Sequence, residues 1–166
     1  MKSAQYWIDH LDLQKHPEGG FFKETYRSDE QLSGEHLPSR YQGDRCFSTA
    51  IYFLITESNC SKFHRIKSDE TWHFYEGQPL TIYVLGEGDG RLDQFHLGRD
   101  LESGQQMQLT IPKNCWFGAK LSVDQGYALI GCTVAPGFDF ADFELADREK
   151  LITTFPRHQK IINTLT

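Results

Sequence analysis

Short strand-like segments recur along the middle of this chain, and their spacing constrains the fold more than any other sequence feature. Each segment is rich in aliphatic, aromatic or β-branched residues, and glycine-bearing turns such as 86–90 separate several of them. Segments at intervals of about ten residues, without long helices between them, predict a sandwich, jelly roll or barrel rather than a doubly wound sheet. The predicted strands are 46–56, 62–66, 71–75, 80–85, 92–97, 106–111, 115–121 and 126–134.

The two ends of the chain have a different pattern. Ser3 is a plausible helix N-cap, and Pro156 is a helix terminator. The elements expected there are a helix at 3–13, a strand at 21–27, a loop, hairpin or lid at 28–45, a helix at 139–153 and a final turn or two at 157–165. We therefore expect an all-β fold with short α-helices at both termini. It forms one domain over residues 1–166, with a core barrel at roughly 20–136 and a helical segment at 139–165.

Charge and composition exclude several classes of partner. The chain has 17 Lys and Arg against 23 Asp and Glu, a net charge of −6, and no basic run, which argues against nucleic acid. No apolar stretch approaches the roughly 20 residues of a membrane span, and the start does not resemble a signal peptide. The 4 cysteines form no Cys-x-x-Cys pair and suit reduced thiols. We expect a cytoplasmic protein without nucleic-acid or membrane partners.

The segment 63–77 concentrates chemistry-bearing residues among aromatics. It holds His64, Glu70 and His73, and imidazole and carboxylate groups bind metals and transfer protons near neutral pH. Alternation of side chains along strands places Glu70, Trp72 and Phe74 on one face and His73 on the other. If the strands 62–66 and 71–75 pair as a hairpin, His64 and Glu70 point inward and His73 points outward.

The predicted strand 21–27 supplies a second candidate surface. Its alternation places Phe22, Glu24 and Tyr26 on one face. Such a face suits either a pocket wall or a half-solvated sheet surface, and the sequence leaves both open.

Two motifs of this chain resemble those of the cupin superfamily. The spacing His64-x-Ile66-x-x-x-Glu70, six residues and Gly77 is similar to the first cupin motif: His-x-His, three or four residues, Glu, six residues, Gly. The second motif, Pro-x-Gly-x-x-His, falls on residues 112–117. More narrowly, the chain resembles a cupin branch known as a domain of unknown function, in the segments 16–20, 24–28, 72–77 and 131–138. This resemblance implies a jelly-roll barrel with a small-molecule-sized interior, usually paired as a homodimer.

The metal ligands of that superfamily are incomplete in this chain. Metal-binding cupins use three His and one Glu, whereas Ile66 and Phe117 occupy two of the four positions here. Functional transition-metal sites usually supply three or more protein ligands. We therefore expect no metal or other cofactor, with His64, Glu70 and His73 as weak metal candidates only.

Without a metal, the remaining pair suits acid–base chemistry. A carboxylate beside His64 would fix its tautomer and make it more basic, and Tyr26 could return a proton. This arrangement resembles the nucleotide-sugar epimerase cupins, which work through a His base and a Tyr acid. A structural role that only fixes the barrel interior is the alternative for the pair. The candidate catalytic residues are His64, Glu70 and Tyr26, and the candidate ligand-binding residues are Phe22, Glu24, Trp72, Phe74, Trp116 and Phe117.

Three functional hypotheses follow. The first is a binding protein, or an enzyme of unidentified reaction, that takes a small organic ligand in the barrel. The second is a metal-independent epimerase or isomerase acting on a sugar or nucleotide-sugar, with Arg27, Arg45 and Arg65 as possible diphosphate contacts. The third is a metal-dependent oxygenase or isomerase. The histidines at 10, 16, 36, 96 and 158 are assigned no role.

Overall fold

The structure is a computed structural model that describes residues 2–86, 88 and 90–166. In chain order, its helices and strands are α1 (Ala4–His10), β1 (Gln14–Lys15), β2 (Phe21–Arg27), β3 (Gln31–Leu32), β4 (Arg45–Cys46), β5 (Thr49–Thr56), β6 (Ser61–Arg65), β7 (Asp69–Gly77), β8 (Leu80–Leu85), β9 (Leu92–Leu97), β10 (Gln108–Ile111), β11 (Trp116–Leu121), β12 (Tyr127–Ala135), β13 (Glu144–Leu145), α2 (Arg148–Thr154) and α3 (Gln159–Thr164). Short 3-10 turns cover Gly34–His36, Phe140–Asp142 and Pro156–His158.

Two antiparallel sheets form the body of the molecule. One has the strand order β1-β2-β5-β12-β7-β10, the other has the order β13-β6-β11-β8-β9, and β3 pairs with β4 in a small separate ladder. The largest apolar cluster takes side chains from both sheets, including Phe53 and Trp72 from the first and Ile82 and Phe117 from the second. The sheets therefore face each other across this core, and the expectation of an all-β fold is confirmed.

The helices cover the outer faces of the two sheets. Ser3 caps α1, whose Trp7 donates a hydrogen bond from Nε1 to the Tyr127 hydroxyl at 2.8 Å on the outside of the six-stranded sheet. At the other side, Leu151 and Ile162 from α2 and α3 pack with Leu85 of β8. The short helices predicted at both termini are confirmed. None of the helices in the described part of the chain has the length and apolar character that a membrane-spanning helix requires.

The expected hairpin between 62–66 and 71–75 does not form. Instead, β6 pairs with β11 and β13 in the five-stranded sheet, whereas β7 pairs with β12 and β10 in the six-stranded sheet. The corner between them is fixed by hydrogen bonds: the Lys67 carbonyl accepts from Arg40 and Tyr41, and the Ser68 hydroxyl donates to the Pro136 carbonyl. His64 and Glu70 therefore approach each other from opposite sheets.

The expected helix over 139–153 is wrong in its first half. Residues 140–142 form a 3-10 turn and β13 pairs with β6, so α2 begins only at Arg148, where the Asp147 side chain accepts from the Lys150 amide. The earlier residues have other partners, since Asp142 binds Arg45 and Phe143 packs on His64.

The observed elements between residues 28 and 56 also differ from the predicted ones. The predicted strand 46–56 is interrupted, with β4 and β5 separated by residues 47–48. The loop predicted over 28–45 contains the short hairpin of β3 and β4.

Candidate functional site

A cavity of about 270 Å³ lies between the two sheets. This volume is near the lower end of the roughly 300–1,000 Å³ range of small-molecule sites. Strands β2, β5, β7 and β12 form one wall, β6 faces them, and the segment 138–143 lies at its edge. The lining residues are His16, Glu18, Phe22, Glu24, Arg27, Thr49, Ile51, Phe53, His64, Ile66, Glu70, Cys132, Val134, Phe138, Asp139, Phe140 and Phe143.

Glu18 and two imidazoles form a buried cluster in this lining. Glu18 Oε2 lies 3.2 Å from His64 Nε2 and 3.4 Å from His16 Nδ1, and all three side chains are less than a tenth exposed. The other carboxyl oxygen, Oε1, accepts a hydrogen bond from the Ser61 hydroxyl at 2.7 Å. Glu18, His16 and His64 thus act as one hydrogen-bonded unit.

The backbone around this unit determines where its protons lie. His64 Nδ1 is 2.7 Å from the Lys62 carbonyl, which only accepts, so Nδ1 carries a proton and neutral His64 has its lone pair on Nε2. His16 Nδ1 accepts from the Glu18 amide at 3.3 Å, so its lone pair is also directed toward Glu18. Both nitrogens near Oε2 are therefore acceptors, and the network assigns a proton to Glu18 Oε2.

The pKa values agree with this assignment. Burial raises the pKa of Glu18 to about 7, although the nearby His16 and the Ser61 hydrogen bond oppose the shift. Burial also lowers the pKa of His64 and of His16, so both imidazoles are favoured in their neutral form. A protonated carboxyl beside neutral imidazoles is the arrangement that burial favours here.

Glu70 is the second buried carboxyl of the cavity. It is 8 % exposed, and burial is the main cause that raises its pKa to about 7. The thiol of Cys132 lies beside it and has its own pKa raised well above the usual value by burial. A thiol is a weak hydrogen-bond donor, so Glu70 has little to compensate its charge.

Another part of the lining holds an ion pair. Arg27 donates from Nε to Glu24 Oε1 at 2.9 Å and from Nη2 to Glu24 Oε2 at 2.7 Å, a bidentate geometry. Its Nη1 donates to the Phe138 carbonyl at 3.1 Å and contacts the Cys46 sulfur at 3.5 Å. This guanidinium ties β2 to the segment 138–143 at the edge of the cavity.

The lining includes five phenylalanines, of which Phe53 belongs to the main core and the other four contribute to the apolar surface of the cavity. Phe138, Phe140 and Phe143 pack mutually with ring centroids 5.0–6.2 Å apart, and Phe22 packs edge-on against His16 at 4.7 Å. Phe140 is 56 % exposed although it lines the cavity. Such rings suit the flat or apolar part of an organic molecule.

The structure brings together only part of the predicted site. His64 and Glu70 line the cavity, as do Phe22 and Glu24. The carboxylate within ion-pair distance of His64 is that of Glu18, which the sequence analysis did not select.

Tyr26 lies outside the cavity because of a β-bulge. In the pairing of β2 with β5, Glu24 opposes Ile51 but Tyr26 opposes Ala50, so the register shifts by one residue. A shift by one residue reverses the face, and Tyr26 is 54 % exposed on the outer surface. The expectation that Phe22, Glu24 and Tyr26 share one face is wrong for Tyr26, and Arg27 lines the cavity instead.

The remaining predicted aromatics also lie outside the lining. Trp72, Phe74 and Phe117 are buried in the main core, where Phe117 packs on His64 with a centroid distance of 4.1 Å. Trp72 Nε1 is buried and has no hydrogen-bond partner; the indole is near enough to lower the pKa of Glu70, but not in hydrogen-bond geometry. Trp116 faces the helices α2 and α3, and Arg65 stacks on its ring.

His73 is on the outer face of the six-stranded sheet, as side-chain alternation predicts. Its Nε2 is 3.1 Å from the Thr133 hydroxyl and its Nδ1 is 3.1 Å from Gln108 Nε2. It therefore cannot act with His64 and Glu70 on one ion.

The donor set around the cavity does not fit a cupin-type metal centre. Among the residues described, no group of three or more His, Cys, Asp or Glu side chains is arranged to hold a metal ion. The reason is visible in the geometry: the lone pairs of His64 Nε2 and His16 Nδ1 are directed at Glu18 rather than at a shared open point.

His16 and Glu18 are the site residues that the sequence did not indicate, because the segment 16–20 contributed only to the resemblance to the cupin branch and His16 was assigned no role. Gly19 and Gly20 have positive φ angles of 107° and 71°, and a Cβ at Gly19 would overlap the Cys60 carbonyl. These glycines allow the segment 16–20 to pack closely against Cys60 and the start of β6, where the Lys62 amide donates to the Glu18 carbonyl at 2.8 Å. The sequence feature that could have indicated these site residues is a His and a Glu beside two glycines.

Of the three arginines considered as diphosphate contacts, only Arg27 lines the cavity. Arg45 is buried in an ion pair with Asp142, and Arg65 pairs with Glu144 on the outside.

Comparisons with known proteins show the family and the fold of this chain. The family model described as "Cupin superfamily (DUF985)" matches residues 5–146, which is most of the chain. The chain belongs to this cupin family. It is similar to an uncharacterized protein of Saccharomyces cerevisiae, YML079W, with 35% identity over 150 residues that cover 84% of this chain and 73% of the yeast protein.

Several solved structures have the same fold. Protein SO0799 from Shewanella oneidensis superposes with a TM-score of 0.89 at 39% identity, covering 100% of this chain and 98% of that one. A hypothetical protein from Leishmania major has a TM-score of 0.90 at 32% identity and covers 99% of both chains. Oxalate decarboxylase from Bacillus subtilis, at 12% identity, has a TM-score of 0.55 over 94% of this chain and 37% of its own. The last likeness shows the fold alone, and the predicted cupin jelly roll is confirmed.

Proposed function

We propose that this cupin binds a small organic molecule in the cavity and transfers a proton on it with Glu18, His64 and Glu70. The observation that carries the proposal is the position of Glu18 Oε2, which lies between two imidazole lone pairs in a buried wall of the cavity. A protonated carboxyl held against a neutral imidazole is an acid and a base within one hydrogen bond.

The acid–base groups are suited to work near neutral pH. Glu18 and Glu70 each have a pKa of about 7, where a group donates and accepts protons with comparable ease. In the proposed step, Glu70 as carboxylate takes a proton from one atom of the ligand, and Glu18 gives its proton to another atom. The ligand is thereby isomerised without any net change in its electrons, so no oxidant or reductant is required.

This assignment differs from the His–Tyr epimerase scheme. Tyr26 is on the outer surface, so Glu70 replaces it as the second proton-transfer group. The donor geometry around the cavity also disfavours a metal-dependent reaction, since no group of three or more metal-ligating side chains is arranged for one among the described residues.

Hydrogen–deuterium exchange tests the proton-transfer step. The protein is incubated in D2O with small carbonyl compounds (keto sugars, keto acids and amino ketones), and ¹H NMR detects loss of a carbon-bound proton. We expect exchange with at least one compound and a fall of roughly 100-fold or more in Glu70→Gln, in line with the usual contribution of an acid–base group. Tyr26→Phe is the matched control and should keep full exchange. Equal exchange in Glu70→Gln and the natural protein would contradict the proposal.

Ligand binding without chemistry is the second candidate. It is favoured by one observation: Glu18, His64 and His16 satisfy one another's hydrogen bonds, as a purely structural polar cluster would. Native mass spectrometry of the purified protein separates the two. A stoichiometric small molecule that shows no exchange in D2O favours binding alone.

A second copy of the chain is the proposed protein partner, and the outer face of the six-stranded sheet is its proposed contact. Tyr75 and Tyr26 are 47 % and 54 % exposed there, and Tyr52 packs edge-on against Tyr75 at 6.0 Å. Sedimentation analysis should find a dimer that Tyr75→Glu weakens. We also propose a cytoplasmic location, since the four cysteines are free thiols that a reducing compartment maintains.

A further inference from the structure

The charges in the cavity wall are strongly unequal. The lining residues include four carboxyl side chains, on Glu18, Glu24, Glu70 and Asp139, whereas Arg27 is the one guanidinium or ammonium group among the described residues there. The two imidazoles do not redress this difference, because burial favours their neutral forms.

Arg27 has little capacity left to bind an anion. A guanidinium has five N–H donors. Two are used by the Glu24 carboxylate, one by the Phe138 carbonyl and one by the Cys46 sulfur, at 2.7–3.5 Å. Its charge is balanced by Glu24, so a phosphate or carboxylate entering the cavity would find no free cation.

Among the carboxyls, Glu70 is the one whose negative charge is available to a cationic group. Glu18 holds a proton between His64 and His16 before the reaction, and Glu24 is paired with Arg27. Asp139 accepts a hydrogen bond from the Ala141 amide at the edge of the cavity. Glu70 is buried and lines the cavity, and the polar groups near it are the weakly donating Cys132 thiol, the Trp72 indole and the neutral His64, none of which is a cation.

The aromatic residues of the lining also suit a positive charge. Phe22, Phe138, Phe140 and Phe143 present ring faces and edges to the cavity together with the neutral His16 ring. Ring faces attract organic cations, and recognition of ammonium groups by clustered aromatics is a recurring use of this effect.

We propose that the ligand of this cavity is a small organic cation, whose charged nitrogen pairs with Glu70 and whose carbon skeleton packs on the four phenylalanines. This inference rests on the proposed function that the cavity binds an organic ligand. It names the ligand class as an ammonium or amidinium compound rather than a phosphorylated sugar.

Binding of such a cation is coupled to pH. Glu70 must lose its proton to pair with the cation, while Glu18, His16, His64, Cys132, Glu24, Arg27 and Asp139 are the titratable or charged groups that face the same cavity. Because its pKa is about 7, Glu70 is mainly protonated at pH 6 and mainly ionised at pH 8. Affinity for a permanent cation should therefore rise by about tenfold over this interval.

Three probes of one shape test the charge preference: benzylammonium, benzyl alcohol and benzoate, titrated into the full chain by calorimetry. We expect benzylammonium to bind about tenfold or more tightly than benzyl alcohol, and benzoate to bind least. Between pH 6 and 8, only the affinity for benzylammonium should increase. Its binding should release protons, seen as heats that depend on the buffer.

Two pairs of variants assign the contacts. Glu70→Gln should reduce the affinity for benzylammonium by about tenfold and remove its pH dependence, whereas Glu76→Gln, which changes a carboxyl outside the cavity, should change neither. Phe140→Leu should weaken benzylammonium by roughly threefold and leave benzyl alcohol nearly unchanged. Phe47→Leu is its control, since Phe47 is 43 % exposed and does not line the cavity.

The outcomes distinguish this inference from the proposed function. Tighter binding of benzoate, equal binding of all three probes, or no binding of benzylammonium would overturn the cation assignment. Binding of benzyl alcohol or benzoate would still leave the cavity as an organic-ligand site. Failure of the deuterium-exchange test with tight benzylammonium binding would instead overturn the proton transfer and keep the ligand class.

Discussion

Two sites in this protein contain buried carboxyl groups, and they differ in whether a cationic side chain pairs with the carboxyl. Asp142 receives a bidentate guanidinium, with Arg45 Nε and Nη2 each 2.7 Å from a carboxyl oxygen, and both side chains are 4% exposed. Glu18 and Glu70 are buried to a similar depth, but no guanidinium or ammonium group in the described part of the chain forms an ion pair with either of them. Asp142 has a cationic partner, whereas burial raises the pKa of the other two carboxyls to about 7.

This difference suggests a structural role for Asp142 and supports the proposed chemical role of Glu18 and Glu70. The Arg45 pair joins β4 to the turn at 140–142, which suits a fixed cross-link. Carboxyls without a cation have a raised pKa, and such groups in a cavity are typical of functional sites. Proteins seldom bury acids without a cationic partner, which supports the proposal that Glu18 and Glu70 belong to the functional site.

The largest expected effect comes from breaking the compensated site. Arg45→Met leaves Asp142 buried, with Lys67 at 3.3 Å as its one remaining cationic neighbour among the residues that the structure describes. We expect the free energy of unfolding to fall by about 3–5 kcal/mol, as for other buried pairs that lose one partner. Urea denaturation measures this loss. Arg99→Met, which breaks an exposed pair with Glu76, should cost no more than about 1 kcal/mol.

The double variant Arg45→Met/Asp142→Leu sharpens this prediction. Removing both charges should recover much of the stability lost in Arg45→Met, because the penalty arises from an unpaired buried charge. If Arg45→Met were no more harmful than Arg99→Met, the contrast between the two acid sites would fail.

The next effect concerns the pH dependence of stability. Glu70 has a pKa of about 7 when folded, above its ordinary value of 4.5, so the folded state binds more protons between these pH values. Its contribution to stability is complete below about pH 4.5 and is lost as the pH rises through 7. Glu70→Gln should therefore gain about 1–3 kcal/mol relative to the natural protein between pH 5 and 8.

Two groups act in the opposite direction and must be held constant. His16 and His64 have lowered pKa values, so their contribution to stability is present at high pH and is lost as the pH falls below about 6.5. Both remain in Glu70→Gln and in the control Glu76→Gln. A stability difference between Glu70→Gln and the natural protein that does not change with pH would contradict the assignment.

The smallest effect tests the hydrogen bond that supports Glu18. The hydroxyl of Ser61 is completely buried and donates to Glu18 Oε1 at 2.7 Å. Ser61→Ala should destabilise the fold by about 1–2 kcal/mol. It should also raise the pKa of Glu18 further, because a donor to its charged form is removed. Ser58→Ala, at an exposed turn, is the control for the substitution itself, and an equal loss in both would sink the role given to Ser61.

Much of the fold could be predicted from sequence because strand periodicity is local information. The alternation along 69–77 placed Glu70 inside and His73 outside without any knowledge of the strand partners. Glu70 therefore lies in the cavity although the predicted hairpin was wrong. The same face of β7 points to the interior of the molecule whichever strands pair with β7.

The parts that could not be predicted depend on long-range geometry. A single extra residue at the β2 bulge turned Tyr26 outward and Arg27 inward, and nothing local in the segment 21–27 marks that residue. His16 and Glu18 lie in a turn, where no alternation indicates direction, and they reach the cavity only because Gly19 allows close approach to Cys60.

The most direct test of the central claim is the titration of the glutamate carboxyl groups by ¹³C NMR. The account predicts two carboxyl resonances that titrate near pH 7, one absent in Glu18→Gln and the other in Glu70→Gln. If neither variant removes a resonance that titrates near pH 7, and every glutamate ionises in the ordinary range near pH 4–5, then the cavity carboxyls are compensated and the proposed acid–base site is contradicted.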